Sequence, residues 1–334
     1  DLVRSRGLGD VYKRQIINWV KQRYDLIVTK EVINFVPGIV PGIGMAMNCF
    51  TQKGDKVMIQ PPVYHPFAWV TTRNERTLVI NPLKWENGMY RMDLDAFREQ
   101  IKGCKLFILC NPHNPGGVVW TEAELRAIAD ICYDEKVLVF SDEIHADLTL
   151  PPHTHRPFAT VSEKARMNSV TFMSPSKAFN MPGLSASHAL IFNEDLRKRF
   201  RIYMDAGELD MGHVFAFLSV EAAYSHGTEW LDQCLAYIQG NIDFVDEFLK
   251  KHAPKIKAIR PEASYLVWLD CRELELSQKD LNEFFVDKAH LALNDGEMFG
   301  KEGIGFMRLN VASPRCIIEK AMKQLADAYQ LYIK

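Results

Sequence analysis

From Asp55 onward, short apolar runs alternate with helical stretches, and this alternation constrains the fold of the chain more than any other feature. The runs are Lys56 to Gln60, Leu78 to Ile80, Lys105 to Cys110, Val137 to Phe140, Ser169 to Met173 and Ala189 to Phe192. They are apolar on both faces, as strands are when helices cover both sides of a sheet. Between two of them, Thr121 and Glu124 form a T-x-x-E capping box ahead of Leu125, Ile128, Ala129 and Cys132, which predicts a helix. Alternation of this kind means an α/β fold, with a mostly parallel sheet sandwiched by helices. Past about Glu194 the helices lengthen. Glu229 to His252 reads as a connector, Pro261 to Asp270 and Phe306 to Ala312 as strands, and Leu281 to Ala289 and Pro314 to Ile333 as helices. The expected division is a large domain over 16–228, then a connecting helix and small C-terminal α+β domain over 229–334. Residues 1–15, DLVRSRGLGDVYKRQ, lack an initiator Met and show no helical or strand period, so they are expected to be foreign to the fold.

Composition excludes several classes. Lys plus Arg number 40 against 42 Asp plus Glu, so there is no cationic field to draw in nucleic acid. The seven cysteines are odd in number, scattered, and nowhere in a C-x-x-C pair. They read as reduced thiols of a cytoplasmic protein, and neither a disulfide framework nor a metal site is expected. No apolar run approaches the ~18 residues of a membrane span.

Three segments stand where strands of an open α/β sheet end, the usual place for ligands. CNPHNPGG (Cys110 to Gly117) presents two Asn side chains from a turn stiffened by Asn-Pro steps; it also reads as a plain βα turn. SDEIHADL (Ser141 to Leu148) brings an acidic pair out of a buried strand, where an unpaired carboxylate is costly. Asp142 could equally partner a core Arg or a helix N-terminus, and His145 could be a satisfied core histidine. In SPSKAFNMPGLSAS (Ser174 to Ser187), Lys177 lies among Ala178, Phe179 and Met181, where desolvation favours the free amine needed for Schiff-base chemistry. Alone, it also reads as a surface lysine in a turn. S-P-S-K satisfies the S-x-x-K motif of serine β-lactamases, but no K-T-G follows, and the only S-D pair, Ser141-Asp142, lies upstream.

Together, an N-P-x-N-P-x-G turn, then D-x-x-H, then S-x-S-K, each at a strand end, resemble the fold-type I pyridoxal-phosphate (PLP) enzymes of the aminotransferase class I/II superfamily. VPGIVPGIG (Val36 to Gly44), QPPVYHPF (Gln60 to Phe67), CNPHNPGG, SDEIHADL and SPSKAFN look most like its cystathionine β-lyase, or cysteine-S-conjugate β-lyase, branch. The resemblance runs from about Ile16 to the C-terminus.

By this resemblance Lys177 carries PLP as a Schiff base and moves the substrate Cα proton. Asp142 faces the pyridine nitrogen, Asn114 bonds the phenolic oxygen, and Tyr64 stacks on the ring with His145 nearby. Ser174, Ser176 and the backbone around Gly38, Ile39 and Val40 at a helix start hold the phosphate. Arg308 grips the α-carboxylate. Taken singly, Tyr64 also reads as a turn aromatic, Arg308 as an interdomain ion pair, and Gly38 as a helix cap. His145 where many aminotransferases have Tyr, and Ser185 where they have a phosphate-binding Arg, both suit the lyase branch. The implied activity is α,β-elimination of L-cysteine thioethers in methionine biosynthesis. Transamination and a PLP-fold regulatory module are the alternatives. The resemblance also implies a homodimer with shared active sites and an N-terminal arm, in whose place DLVRSRGLGDVYKRQ stands; the chain is thus expected to be an N-terminally incomplete member.

Overall fold

The computed structural model describes residues 6–332. In chain order the strands are β1 (Ile33–Val36), β2 (Lys56–Ile59), β3 (Thr77–Ile80), the hairpin β4 (Lys84–Glu86) and β5 (Met89–Arg91), β6 (Cys104–Cys110), β7 (Leu138–Asp142), β8 (Ser169–Met173), β9 (Ser187–Leu190), β10 (Lys257–Ile259), β11 (Leu266–Asp270), β12 (Asn294–Asp295) and β13 (Phe306–Asn310). The larger sheet has seven strands in the order β1-β9-β8-β7-β6-β2-β3. Strands β3, β2, β6, β7 and β8 run parallel, and β9 runs antiparallel to both β8 and β1. The expected α/β sandwich forms, with a mostly parallel sheet.

The reason lies in the alternation of side chains along each strand. On β6, Leu106, Ile108 and Cys110 pack with Ile43 and Met47 of helix α2 (Ile39–Phe50). Phe107 and Leu109 face the other way, onto Leu125, Ile128 and Ala129 of helix Glu122–Asp134. Each such buried Leu, Ile or Phe contributes roughly 1.5–3 kcal/mol of transfer free energy. The capping box forms as expected: Thr121 Oγ1 accepts from Glu124 N at 3.2 Å, and Glu124 Oε2 accepts from Thr121 N at 2.8 Å.

The smaller sheet is antiparallel, in the order β10-β11-β13-β12. Helix Thr228–His252 joins the two cores: Leu231 packs with the large-sheet cluster, whereas Ile238, Ile242, Val245 and Leu249 pack under the small sheet.

The N-terminal expectation is corrected. Helix α1 (Arg6–Tyr24) begins well before Ile16, so residues 6–15 are part of the fold; residues 1–5 lie outside the described residues. Tyr12, Ile16, Trp19 and Val20 are buried, and the Tyr12 hydroxyl donates to Ser187 O at 3.2 Å. The apolar positions Tyr12, Ile16, Trp19 and Val20 do follow a helical period, but the polar stretch before them hides its start. Trp19 Nε1 donates to Asp147 Oδ1 at 3.0 Å, and the Tyr24 hydroxyl donates to the same oxygen, which hooks α1 onto the segment after β7.

Candidate active site

Strand order reverses between β2, which leads outward to β3, and β6, which leads the other way to β7 and β8. Open α/β sheets bind ligands beyond the carboxyl ends of strands at such a point. There a cavity of about 530 Å³ is lined by residues following β1 (Gly38, Ile39, Val40), β2 (Tyr64, His65), β6 (Asn114), β7 (Asp142, His145) and β8 (Ser176, Lys177). The small sheet closes it with Tyr265, Arg308 and Asn310. Ten of the eleven residues singled out from the sequence therefore meet at one cavity.

Ser174 is the exception. Its Oγ lies 2.7 Å from Ala186 O, accepts from Ser176 N at 3.1 Å and sits 2.9 Å from Ser176 Oγ, so it braces the loop behind the cavity rather than lining it. Ser185, Tyr265, His65 and Asn310 also line the cavity; Ser185 stands eight residues past Lys177 and His65 lies within QPPVYHPF, whereas no motif points to Tyr265 or Asn310.

Asp142 ends β7 with its carboxyl buried. Burial pushes it up to about 7, against the opposing pull of the Ile144 N–H at 3.1 Å; Glu143 adds to the rise and Lys177 opposes it. Its sequence neighbour Glu143 faces away from the cavity. Ser141 Oγ and Phe158 N each donate to Glu143 Oε1 at 2.8 Å, and His155 Nε2 lies 2.8 Å from Oε2. The acidic pair thus divides into one carboxylate satisfied by protein and one offered to the cavity.

His145 is buried, and burial, with Lys177 and Arg308 nearby, brings it down to about 3, so it is a neutral imidazole. Its Nδ1 has no hydrogen-bond partner among the described residues. Burial raises the Tyr64 hydroxyl, the Asp142 charge adds to that rise, and Arg308 opposes it. Lys177 is half-buried, less desolvated than its apolar neighbours suggested.

Arg308 lies at the centre of β13. Its Nη1 donates to Asn114 Oδ1 at 2.9 Å and its Nη2 to Asn294 Oδ1 at 2.7 Å. Burial lowers it to about 10, which leaves it fully charged at neutral pH. Because Asn114 accepts through Oδ1, its Nδ2 is free to donate to another group. Gly38 caps α2 without any side-chain bond, and Pro41 has no N–H, so the N–H groups of Gly38, Ile39 and Val40 remain for an anion.

These features define a PLP-transferase fold of type I whose cavity suits PLP. Among the described residues the buried Asp142 carboxylate accepts from the Ile144 N–H and has no cationic N–H partner of the kind a pyridinium supplies. The uncapped α2 start and Ser176 suit a phosphate, and Lys177 supplies the amine. The chain belongs to the aminotransferase class I and II family, whose profile matches residues 7–325. Cystathionine beta-lyase PatB of Bacillus subtilis (strain 168) is 38% identical over 318 residues, covering 95% of this chain and 82% of its own length. The structure of cystalysin from Treponema denticola, which contains a pyridoxal 5'-phosphate cofactor, superposes with a TM-score of 0.94 at 34% identity, over 97% of this chain and 83% of that one. The PLP-bound C-S lyase of Staphylococcus hominis in complex with L-cycloserine gives a TM-score of 0.88 at 32% identity, over 96% of this chain and 79% of its own.

Proposed function

We propose that this protein is a PLP-dependent C–S β-lyase that cleaves L-cysteine thioethers. Overall, a thioether and one water give a thiol, pyruvate and ammonia. The Cβ–S bond breaks, the sulfur leaves with its electron pair and takes a proton, and the remaining three-carbon unit is hydrolysed. The observation that carries this reading is the convergence of Lys177, Asp142, Asn114 and Arg308, from three strand ends of the large sheet and one strand of the small, on a single cavity. The similarity to named lyases supports elimination over transamination.

PLP, when bound, supplies a cationic ring that stabilises negative charge at the substrate Cα. Arg308 holds the α-carboxylate with the N–H groups not taken by Asn114 and Asn294, which orients the Cα–H toward the site. The Lys177 amine takes the Cα proton. Asp142 would hold the ring nitrogen with its negative charge, and burial would concentrate the effect of that charge. Tyr64 and Asn114, through its Nδ2, would hold the ring and its phenolic oxygen, and neutral His145 lines the same cavity without adding a competing charge. Ser176 and the backbone of Gly38, Ile39 and Val40 would hold the phosphate.

We further infer a two-domain, cytoplasmic homodimer. All seven cysteines are free thiols, which suits a reducing compartment, and Ile202, Phe215 and Leu218 leave apolar surface exposed. Incubating the PLP-loaded protein with L-cystathionine and measuring pyruvate and free thiol tests the activity. Pyruvate formation without added keto acid is expected; amino-group transfer that requires a keto acid, with no thiol released, would replace this reading by transamination.

A further inference from the structure

We infer that Phe299 is a positioning residue for substrate binding: its ring holds the Arg308 guanidinium in the orientation a carboxylate needs, while its backbone ties that support to the segment carrying Tyr64. The inference rests on the reading of Arg308 as the carboxylate site.

The segment GEMFGKEG, Gly296 to Gly303, forms two short 3₁₀ turns, Gly296–Phe299 and Lys301–Gly303. Its ends touch: a Cβ on Gly296 would stand 2.1 Å from Gly303 O, and one on Gly303 would stand 2.0 Å from Gly296 O. No residue with a side chain fits either position, so the two glycines pinch the loop closed around Phe299. Phe299 is buried, and its ring lies edge-to-face with Trp268 at 5.4 Å and with His65 at 5.8 Å. These neighbours fix the ring plane. The Arg308 Cζ stands over that ring, 4.6 Å from its centroid. The Phe299 carbonyl accepts from Val63 N at 2.8 Å, one residue before Tyr64.

The chemistry explains why a ring suits this place. A guanidinium has five N–H donors, and here Asn114 and Asn294 take one each. A carboxylate or carbonyl partner beneath it would consume further donors, and a charged one would also compete with the substrate. An aromatic face stabilises the partly desolvated cation and restrains its plane while taking no N–H. The remaining donors stay available for a two-pronged grip.

Phe299→Leu removes the ring face and keeps the backbone bond to Val63. The test uses the PLP-loaded protein and two competitive inhibitors of thioether cleavage: L-methionine, and 3-(methylthio)propylamine, the same molecule without its carboxylate. Loss of a partly desolvated cation–π contact predicts a roughly tenfold higher inhibition constant for L-methionine, with the amine changed by less than about twofold. Phe299→Tyr, which keeps the face, should stay near the parent value for both. Phe299→Met fills similar volume without a ring and gives the same readout if the leucine variant fails to fold. Equal weakening of both inhibitors would show a merely structural ring and overturn the inference, as would no change in either. Arg308→Lys separates the two layers. If it raises the L-methionine constant and Phe299→Leu does not, only the role of Phe299 falls; if it has no effect, Arg308 is not the carboxylate site and both fall.

Discussion

Replacing Asp142 by Asn in PLP-free protein is expected to stabilise the fold, and more so at pH 8 than at pH 5. Asp142 is 4% exposed, and burial moves its carboxyl from the ordinary 3.8 to about 7. Between those values the native state holds a proton that the unfolded chain has already released. Stability therefore falls as pH rises through this window and levels off above it. At 1.36 kcal/mol per pH unit the full cost is about 4 kcal/mol by pH 8, of which about 2–3 kcal/mol accrues between pH 5 and pH 8. Asn cannot ionise, and its side-chain oxygen can still accept from the Ile144 N–H. The assay is urea unfolding of both proteins at the two pH values, reading the difference of differences so that any fixed cost of the amide cancels. Parallel pH profiles for parent and variant would refute the claim that this carboxylate is desolvated. The PLP-loaded variant should meanwhile lose most of its pyruvate formation, because the stabilising change removes the charge the chemistry uses.

Other outcomes follow from the same structure. Lys177→Ala should abolish the visible absorbance of the bound cofactor and the borohydride-stable adduct that peptide mass mapping is expected to find at residue 177 of the parent. Asp147→Ala leaves the Trp19 Nε1–H and the Tyr24 hydroxyl without their acceptor, at about 1–3 kcal/mol each, so a loss of roughly 2–6 kcal/mol is expected in denaturant unfolding. Asp147→Asn, which keeps an acceptor, should cost less than half of that. Thr121→Ala removes one half of an exposed capping box and should cost about 1 kcal/mol by the same measurement.

Much of this was legible in the sequence, for identifiable reasons. Strands β2, β6, β7 and β8 are legible because both their faces are largely buried, which writes an apolar run, whereas the edge strand β3 is legible from its β-branched residues although it is half exposed. Strand β1, INFV, writes no such run because Asn34 interrupts it; in the structure the Asn34 Nδ2 donates to Val32 O and Ala189 O. Strand β9 was placed two residues late because Ser187 and His188 interrupt the apolar signal, although both are buried. Lys177, Asp142 and Asn114 follow strands within recognisable motifs, so their neighbourhood could be read. Tyr265 and Asn310 belong to the small sheet and its approach, and only tertiary packing brings them to the cavity, as it brings the Phe299 ring against Arg308. The bracing role of Ser174 was hidden for a related reason: a hydroxyl in a motif does not say which way it points.

The alternation of β7 has an outcome that reaches beyond packing. Asp142 and Glu143 are consecutive, yet they belong to separate electrical compartments, one wired to His155 and the other left for chemistry. What sorts them is the ladder pairing Ser141 with Leu109 and Asp142 with both Cys110 and Phe172. A slip of one residue in that ladder would interchange the two acids without altering a single letter of the sequence. The backbone pairing of a buried sheet is in this sense a component of the catalyst, and insertions far from the cavity that disturb it should silence the enzyme as surely as the loss of a side chain.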